Sequence, residues 1–293
     1  MMGMLGATLA LLAATCSAFS IILVRRHSGT SNAFNISLII SLSGIAILWL
    51  PAVFLTDVSA FSVAGCLFFA LSGLLSPALV RLFYYSGLKK IGAPVNASLF
   101  SIYPLFSSVL GVLLLGEQLS IKNWAGIFIV IFGSILVAAT TPRNGSTSVF
   151  SKKDLALPLA GGVALALANI IRKYALTLYN APALGVLVSY AFSLFVYSTV
   201  LMFHTPTRRK LSLKKDGPLF WIAGVGQAVS WILIFYALSY EQVSTVTSLL
   251  VTEPLFVVLF AHIFLRKLEK ISPNLVIGTI LTVFGVALIT GVL

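Results

Sequence analysis

Three ionisable side chains lie inside long apolar stretches of the chain: Arg81, Glu253 and His262. Placing a charge at the centre of a bilayer costs about 2.5 to 3.5 kcal/mol even on the gentler insertion scales, so such groups are the first candidates for chemistry. Glu253 directly precedes Pro254, which removes one backbone hydrogen bond and invites a bend. A carboxylate there could titrate with a bound molecule, accept an ammonium or, when protonated, cap the carbonyls that the proline frees. Arg81 stands two turns before Lys89. It either snorkels to the interface or points inward, where its planar fork would pair with Glu253 or hold a carboxylate or phosphate. Arg172 and Lys173 close another apolar stretch and read first as interface anchors, second as cations of a cavity. His262, one turn from the end of its stretch, reads as an interface residue.

Polar and aromatic residues at helical spacing extend the candidate set. Gln227 and Trp231 share one helix face, and Asn96 and Tyr103, seven residues apart, share another. An amide left unpaired in lipid is unfavourable, so Asn96, Asn169 and Gln227 are expected to face protein or water, serving helix packing or substrate contact alike. Pro104 and Pro254 are the expected bend or gating positions. Trp49, Trp124 and Trp221 fall near the ends of apolar runs and read as belt aromatics.

The elements that must position these residues follow from composition. Of 293 residues 59% are hydrophobic and 9% charged, against roughly 25% charged in a soluble domain, so the chain cannot cover a water-facing surface. Apolar runs appear near 3 to 24, 34 to 55, 62 to 86, 93 to 115, 123 to 141, 156 to 175, 183 to 203, 218 to 239, 243 to 265 and 273 to 293. Each approaches the roughly 20 residues that a span requires, and without barrel-like alternation only helices satisfy their backbone in hydrocarbon. The pattern predicts an all-α integral membrane protein of ten transmembrane helices. No connection is long enough for a soluble domain. Arg25 and Arg26 directly behind the first run favour a retained helix over a cleaved signal.

The net charge of +12 sits in short clusters between apolar runs, which is a topology signal and not a nucleic-acid footprint. Sixteen of the nineteen Lys and Arg residues lie toward the ends of odd-numbered runs or after them, while Lys122, Arg172 and Lys173 fall on the other side. The positive-inside rule then puts odd-numbered connections in the cytoplasm and both termini outside a bacterial or archaeal plasma membrane. Cys16 and Cys66 lie in apolar runs and imply no disulfide, metal or cofactor. His27, His204 and His262 are scattered, and neither HExxH, GxSxG nor GxxxxGK[ST] occurs, which disfavours a membrane enzyme and direct ATP coupling.

The chain also repeats itself at an offset near 150 residues. Leu88, Ser98, Leu99, Pro104, Leu105 and Phe106 recur as Leu238, Ser248, Leu249, Pro254, Leu255 and Phe256. After a two-residue insertion, Glu117, Ser120, Gly126 and Gly133 recur as Glu269, Ser272, Gly278 and Gly285. Five runs fall in each copy, residues 3–141 and 156–293, and an odd number makes the second copy enter the membrane upside down. Two inverted five-helix repeats can exchange conformations, so that a site between them opens to each side in turn.

The stretch Tyr84-Tyr85-Ser86-Gly87-Leu88-Lys89-Lys90-Ile91-Gly92-Ala93-Pro94, with Pro104 and Leu115-Gly116-Glu117, resembles the EamA repeat of the drug/metabolite transporter superfamily. Tyr236-Ala237-Leu238, Glu253-Pro254 and Glu269 repeat it, although the second copy reads Phe264-Leu265-Arg266-Lys267-Leu268-Glu269 in place of Leu-Gly-Glu. The resemblance implies a carrier of amino acids, other metabolites, nucleotide sugars or phosphorylated sugars. The expectation is a secondary transporter of a small polar or amphipathic solute, amino-acid-like compounds favoured, with membrane lipids as its surroundings and protons as a possible coupling partner. Exchange of phosphorylated metabolites or nucleotide sugars is the alternative within transport, and a channel the alternative outside it.

Overall fold

In lipid each helix must satisfy its own backbone, and prolines at helix starts remove N–H groups that would have no partner there. The computed structural model follows that rule: the helices beginning near residues 103, 182, 217, 253 and 273 all carry proline at the first or second position. It describes residues 2–27, 33–57, 59, 61–91, 96, 99–139, 152–205, 217–264 and 273–291. The helices are α1 (Met2–His27), α2 (Ala33–Leu55), α3 (Val63–Gly73), α4 (Val80–Ile91), α5 (Tyr103–Leu115) and α6 (Ile121–Ala139) in the first half. The second half holds α7 (Ala156–Leu178), α8 (Pro182–Phe203), α9 (Gly217–Tyr240), α10 (Val243–Leu250), α11 (Glu253–Phe264) and α12 (Pro273–Ile289). All regular structure among the described residues is helical. Six stretches are long and apolar enough to cross a bilayer, and four shorter apolar helices complete the ten predicted passages.

Three passages are not single helices. Between α3 and α4 lies a π-helical turn, Leu74–Leu79, in which Ser76 leaves helical geometry at φ −145°, ψ 121°. The sequence reading ran this span straight through. Pro77 donates no N–H and its ring disfavours helical backbone at the residue before it, which places the break at Ser76. The fourth passage restarts at Tyr103 after a turn at 101–102, and the ninth restarts at Glu253 after a turn at 251–252. Pro104 and Pro254 are the second residues of the restarted helices.

Packing follows the repeat. Helix α6 meets α12 through four glycines: a Cβ on Gly126 would stand 2.9 Å from the Gly285 carbonyl, and one on Gly133 would stand 2.8 Å from that of Gly278. The pairing runs in opposite directions along the two helices, so these last helices of the two copies are antiparallel. Other contacts come in equivalent pairs: α1 on α9 with α3 and α4 on α7, α2 on α9 with α3 on α8, and α1 on α11 with α5 on α7. That is the contact pattern of an inverted repeat. Large apolar side chains such as Phe54, Phe203 and Ile121 face outward, where lipid covers them.

Candidate functional site

A cavity of about 150 Å³ opens between the two halves. Its walls come from α1, the π turn, α4, α5, α7, α9 and the break between α10 and α11. At the 150-residue offset six pairs of repeat-equivalent positions line it, and two of them carry contrasting chemistry: Arg81 with Trp231, and Tyr103 with Glu253. The scaffold is symmetric and the chemistry is not. The first copy contributes a cation and a phenol where the second contributes an indole and a carboxylate.

Arg81 is buried and does not snorkel. Its Nη1 donates to Ser41 Oγ at 2.9 Å on α2 and its Nη2 to Tyr190 Oη at 2.6 Å on α8, with the guanidinium carbon 4.8 Å from the Tyr190 ring centre. Glu253 opens α11, with Ser17 of α1 beside it as a hydrogen-bonding partner. Among the described residues the ion pair is Lys90 with Asp154 at 2.9 Å, so the pairing of Arg81 with Glu253 does not form. Both ionisable groups line one cavity without pairing with each other.

Gln227 and Trp231 both reach the cavity from one face of α9, as their spacing predicts, and Pro254 joins the lining. Tyr103 also reaches it while its hydroxyl donates to the Thr247 carbonyl at 3.2 Å. Asn169 lines the wall from α7, and its Oδ1 accepts from Arg172 Nη1 at 2.7 Å. Arg172 corrects the interface-anchor reading: it is 0% exposed. It lies one layer behind the cavity, donating from Nη2 to the Ser76 carbonyl and stacking 4.3 Å from the Trp231 ring centre. The kink at Ser76 frees the carbonyl that receives it, and the straight-helix reading hid that acceptor. Two guanidinium groups and one carboxylate therefore surround the cavity.

Other expectations fall elsewhere. Asn96 is buried but outside the lining; its Nδ2 donates to the Tyr84 carbonyl at 3.2 Å, holding the chain against α4. Asn96 and Tyr103 do not share a helix face, because the turn at 101–102 separates them. Pro104 begins α5 without touching the cavity. Lys173 is half-buried and caps the end of α9, donating to the carbonyls of Leu238 at 2.6 Å and Glu241 at 2.8 Å. The side chain of His262, together with Glu269 and the basic cluster 208–215, lies outside the described residues. Trp49 and Trp221 are exposed, as belt residues are.

Sequence reasoning missed Ser17, Ser41, Ser76 and Tyr190. Hydroxyls are common in spans and carry no spacing signal of their own. Only the neighbours that folding supplies distinguish them.

A family model described as EamA-like transporter family matches residues 4–139 and 153–291. Permease-like protein YdzE of Bacillus subtilis (strain 168) is 35% identical over 65 residues, which cover 22% of this chain and 83% of that protein. A protein of known crystal structure superposes with a TM-score of 0.76 at 15% identity, covering 98% of this chain and 96% of that one, and so shares its fold.

Proposed function

The chain belongs to the EamA-like transporter family, and from that premise we propose that it is a secondary transporter of a small polar or amphipathic solute, amino-acid-like compounds favoured. The observation that carries the reading is that two ionisable groups of opposite type share one cavity without pairing, Arg81 from the first repeat and Glu253 from the second. A zwitterion offers a carboxylate to the positive wall and an ammonium to Glu253. A solute with one charge leaves the opposite wall unmatched. Trp231 and Tyr103 add ring surface for an apolar side chain. Size supports the same class: a cavity of about 150 Å³ takes a molecule near the size of benzene, and a nucleotide sugar is several times larger.

Because each ionic group sits on a different repeat, rocking one half against the other changes the distance between them. A bridging solute therefore has different contacts in the two states, which is what alternating access requires. Glu253 is the group through which a proton would be linked to the cycle. The charge pattern supports odd-numbered connections in the cytoplasm and both termini outside. A reporter fused after Leu293 that reads as cytoplasmic would overturn that orientation.

The test is uptake and counterflow of amino acids in proteoliposomes. Glu253→Gln and Arg81→Gln are each expected to lower the rate about tenfold or more, since each removes a charged partner of the solute. Glu253→Gln should also flatten the pH dependence. Unchanged rates and an unchanged pH profile in both variants would sink the reading, and flux without saturation or counter-exchange would make the protein a channel. A second reading, exchange of phosphorylated metabolites, is favoured by the two guanidinium groups set against one carboxylate. Counterflow driven by inorganic phosphate or a sugar phosphate, and absent with amino acids, would select it.

A further inference from the structure

We propose that Ser76, Trp231 and Arg172 form an anion subsite at the back of the cavity, where the carboxylate or phosphate oxygens of the solute are received. The inference rests on reading the cavity as the solute site. Among the described residues three buried polar atoms there have no partner: Ser76 Oγ, Trp231 Nε1 and Arg172 Nε. Ser76 and Arg172 are both 0% exposed and Trp231 is 8% exposed. Ser76 and Trp231 line the cavity itself.

The three belong to one cluster, because Arg172 touches both of the others. Its Nη2 donates to the Ser76 carbonyl, and its guanidinium carbon lies 4.3 Å from the Trp231 ring centre. An indole N–H and a guanidinium Nε–H donate and never accept, and the serine hydroxyl can donate. A buried donor without an acceptor is unfavourable, so the missing partner is an acceptor. Among the described residues no carboxylate lies within ion-pair distance of Arg172, which points to an anion as that acceptor. Ser76 and Trp231 would touch it, and Arg172, one layer behind, is a positioning residue that also supplies charge.

Arg81 then has a different part. Both of its terminal nitrogens are engaged, by Ser41 and Tyr190, so it contributes positive potential more than free donors. The subsite joins the kink of the first repeat to α7 and α9 of the second. An anion seated there bridges both moving halves, with Glu253 facing the rest of the solute.

The experiment uses the full chain in detergent with Trp49, Trp124 and Trp221 replaced by Phe, leaving Trp231 as the sole indole. Iodide, a monovalent quenching anion, is titrated at constant ionic strength against chloride, with acetate and inorganic phosphate as competitors. The expected result is saturable quenching that acetate or phosphate displaces, weakened about tenfold in Ser76→Ala through loss of one hydrogen bond to a charged group. Arg172→Lys, which keeps the charge but not the fork, is expected to weaken the quenching and restore it partly relative to Arg172→Gln. Stronger displacement by acetate marks a carboxylate solute, and stronger displacement by phosphate a phosphorylated one. If the triple variant does not fold, the unmodified chain is read by thermal shift with the same anions, a bound ligand raising the melting temperature, and Ser76→Ala is expected to shift the midpoint of the rise to about tenfold higher anion concentration. Linear quenching, quenching that neither acetate nor phosphate displaces, saturation unchanged by Ser76→Ala or, in the fallback, no thermal shift overturns the subsite. Saturable anion binding without counterflow of either amino acids or phosphates would instead sink the transport reading and leave the subsite standing.

Discussion

Arg81 shows how a buried cation is held ready without being cancelled. A carboxylate partner would neutralise it; Tyr190 and Ser41 instead accept its hydrogen bonds as neutral oxygens, so the charge stays available to the cavity. Tyr190 is fully buried, and a phenylalanine there keeps the ring under the guanidinium while deleting one bond to a charged group. Such a bond is worth about 1.5 to 3 kcal/mol. Tyr190→Phe is expected to lower thermal stability in detergent by that order and to raise the KM for counterflow more than it lowers the maximal rate. An unaltered KM would mean that the orientation of Arg81 does not matter to the solute. At this scale the sequence exposed the rare groups and concealed the common ones. Arg81, Glu253, Gln227 and Trp231 stand out because polar atoms in a span need a reason, whereas Tyr190 and Ser76 acquire theirs only from neighbours on other helices.

The short helix α10 illustrates how elements that cannot cap themselves are capped by others. Gln242 precedes it without a side-chain bond to its free amides. Glu117, from the loop after α5, supplies the acceptor: its carboxylate takes the Val243 and Ser244 amides, the latter at 3.2 Å, and the Ser244 hydroxyl. A negative group at a helix N-terminus also meets the positive end of the helix dipole. Gly116, at φ 67°, ends α5 in left-handed backbone and so turns the chain toward that position. Glu117→Ala should cost about 0.5 to 2 kcal/mol, the usual range for loss of a cap, with a lower melting temperature as readout. Gly111→Ala should act the same way, because a Cβ there would stand 2.5 Å from the Glu117 carboxylate. A melting temperature unmoved by either change would remove the cap from the account. The spans themselves were legible because apolar length alone decides them. The break at Ser76 was not, since a single Ser-Pro step inside a long apolar run leaves hydropathy unchanged.

Across the whole molecule the two copies meet each other through backbone, and that makes a prediction about coupling. A Cβ on Gly133 would stand 2.8 Å from the Gly278 carbonyl, and a Cβ on Gly278 would stand 2.8 Å from the Gly133 carbonyl. The two glycines thus guard one contact from opposite sides, as small residues do where membrane helices approach closely. Valine at either position must push α6 and α12 apart, at a cost of about 1 to 3 kcal/mol for an overpacked interface. Once the first valine has separated the helices, the second finds the space already opened. The double variant Gly133→Val with Gly278→Val should therefore lose less stability than the two single losses added together. Distant independent sites add to within about 0.5 kcal/mol, so a larger shortfall in thermal or denaturant unfolding measures the shared contact. Strict additivity would mean that each glycine is needed for its own helix alone. A shortfall ties the fifth helices of the two repeats into one interface, and the repeat legible in the sequence then has its physical reason: each copy's small residues are matched to the other copy's backbone.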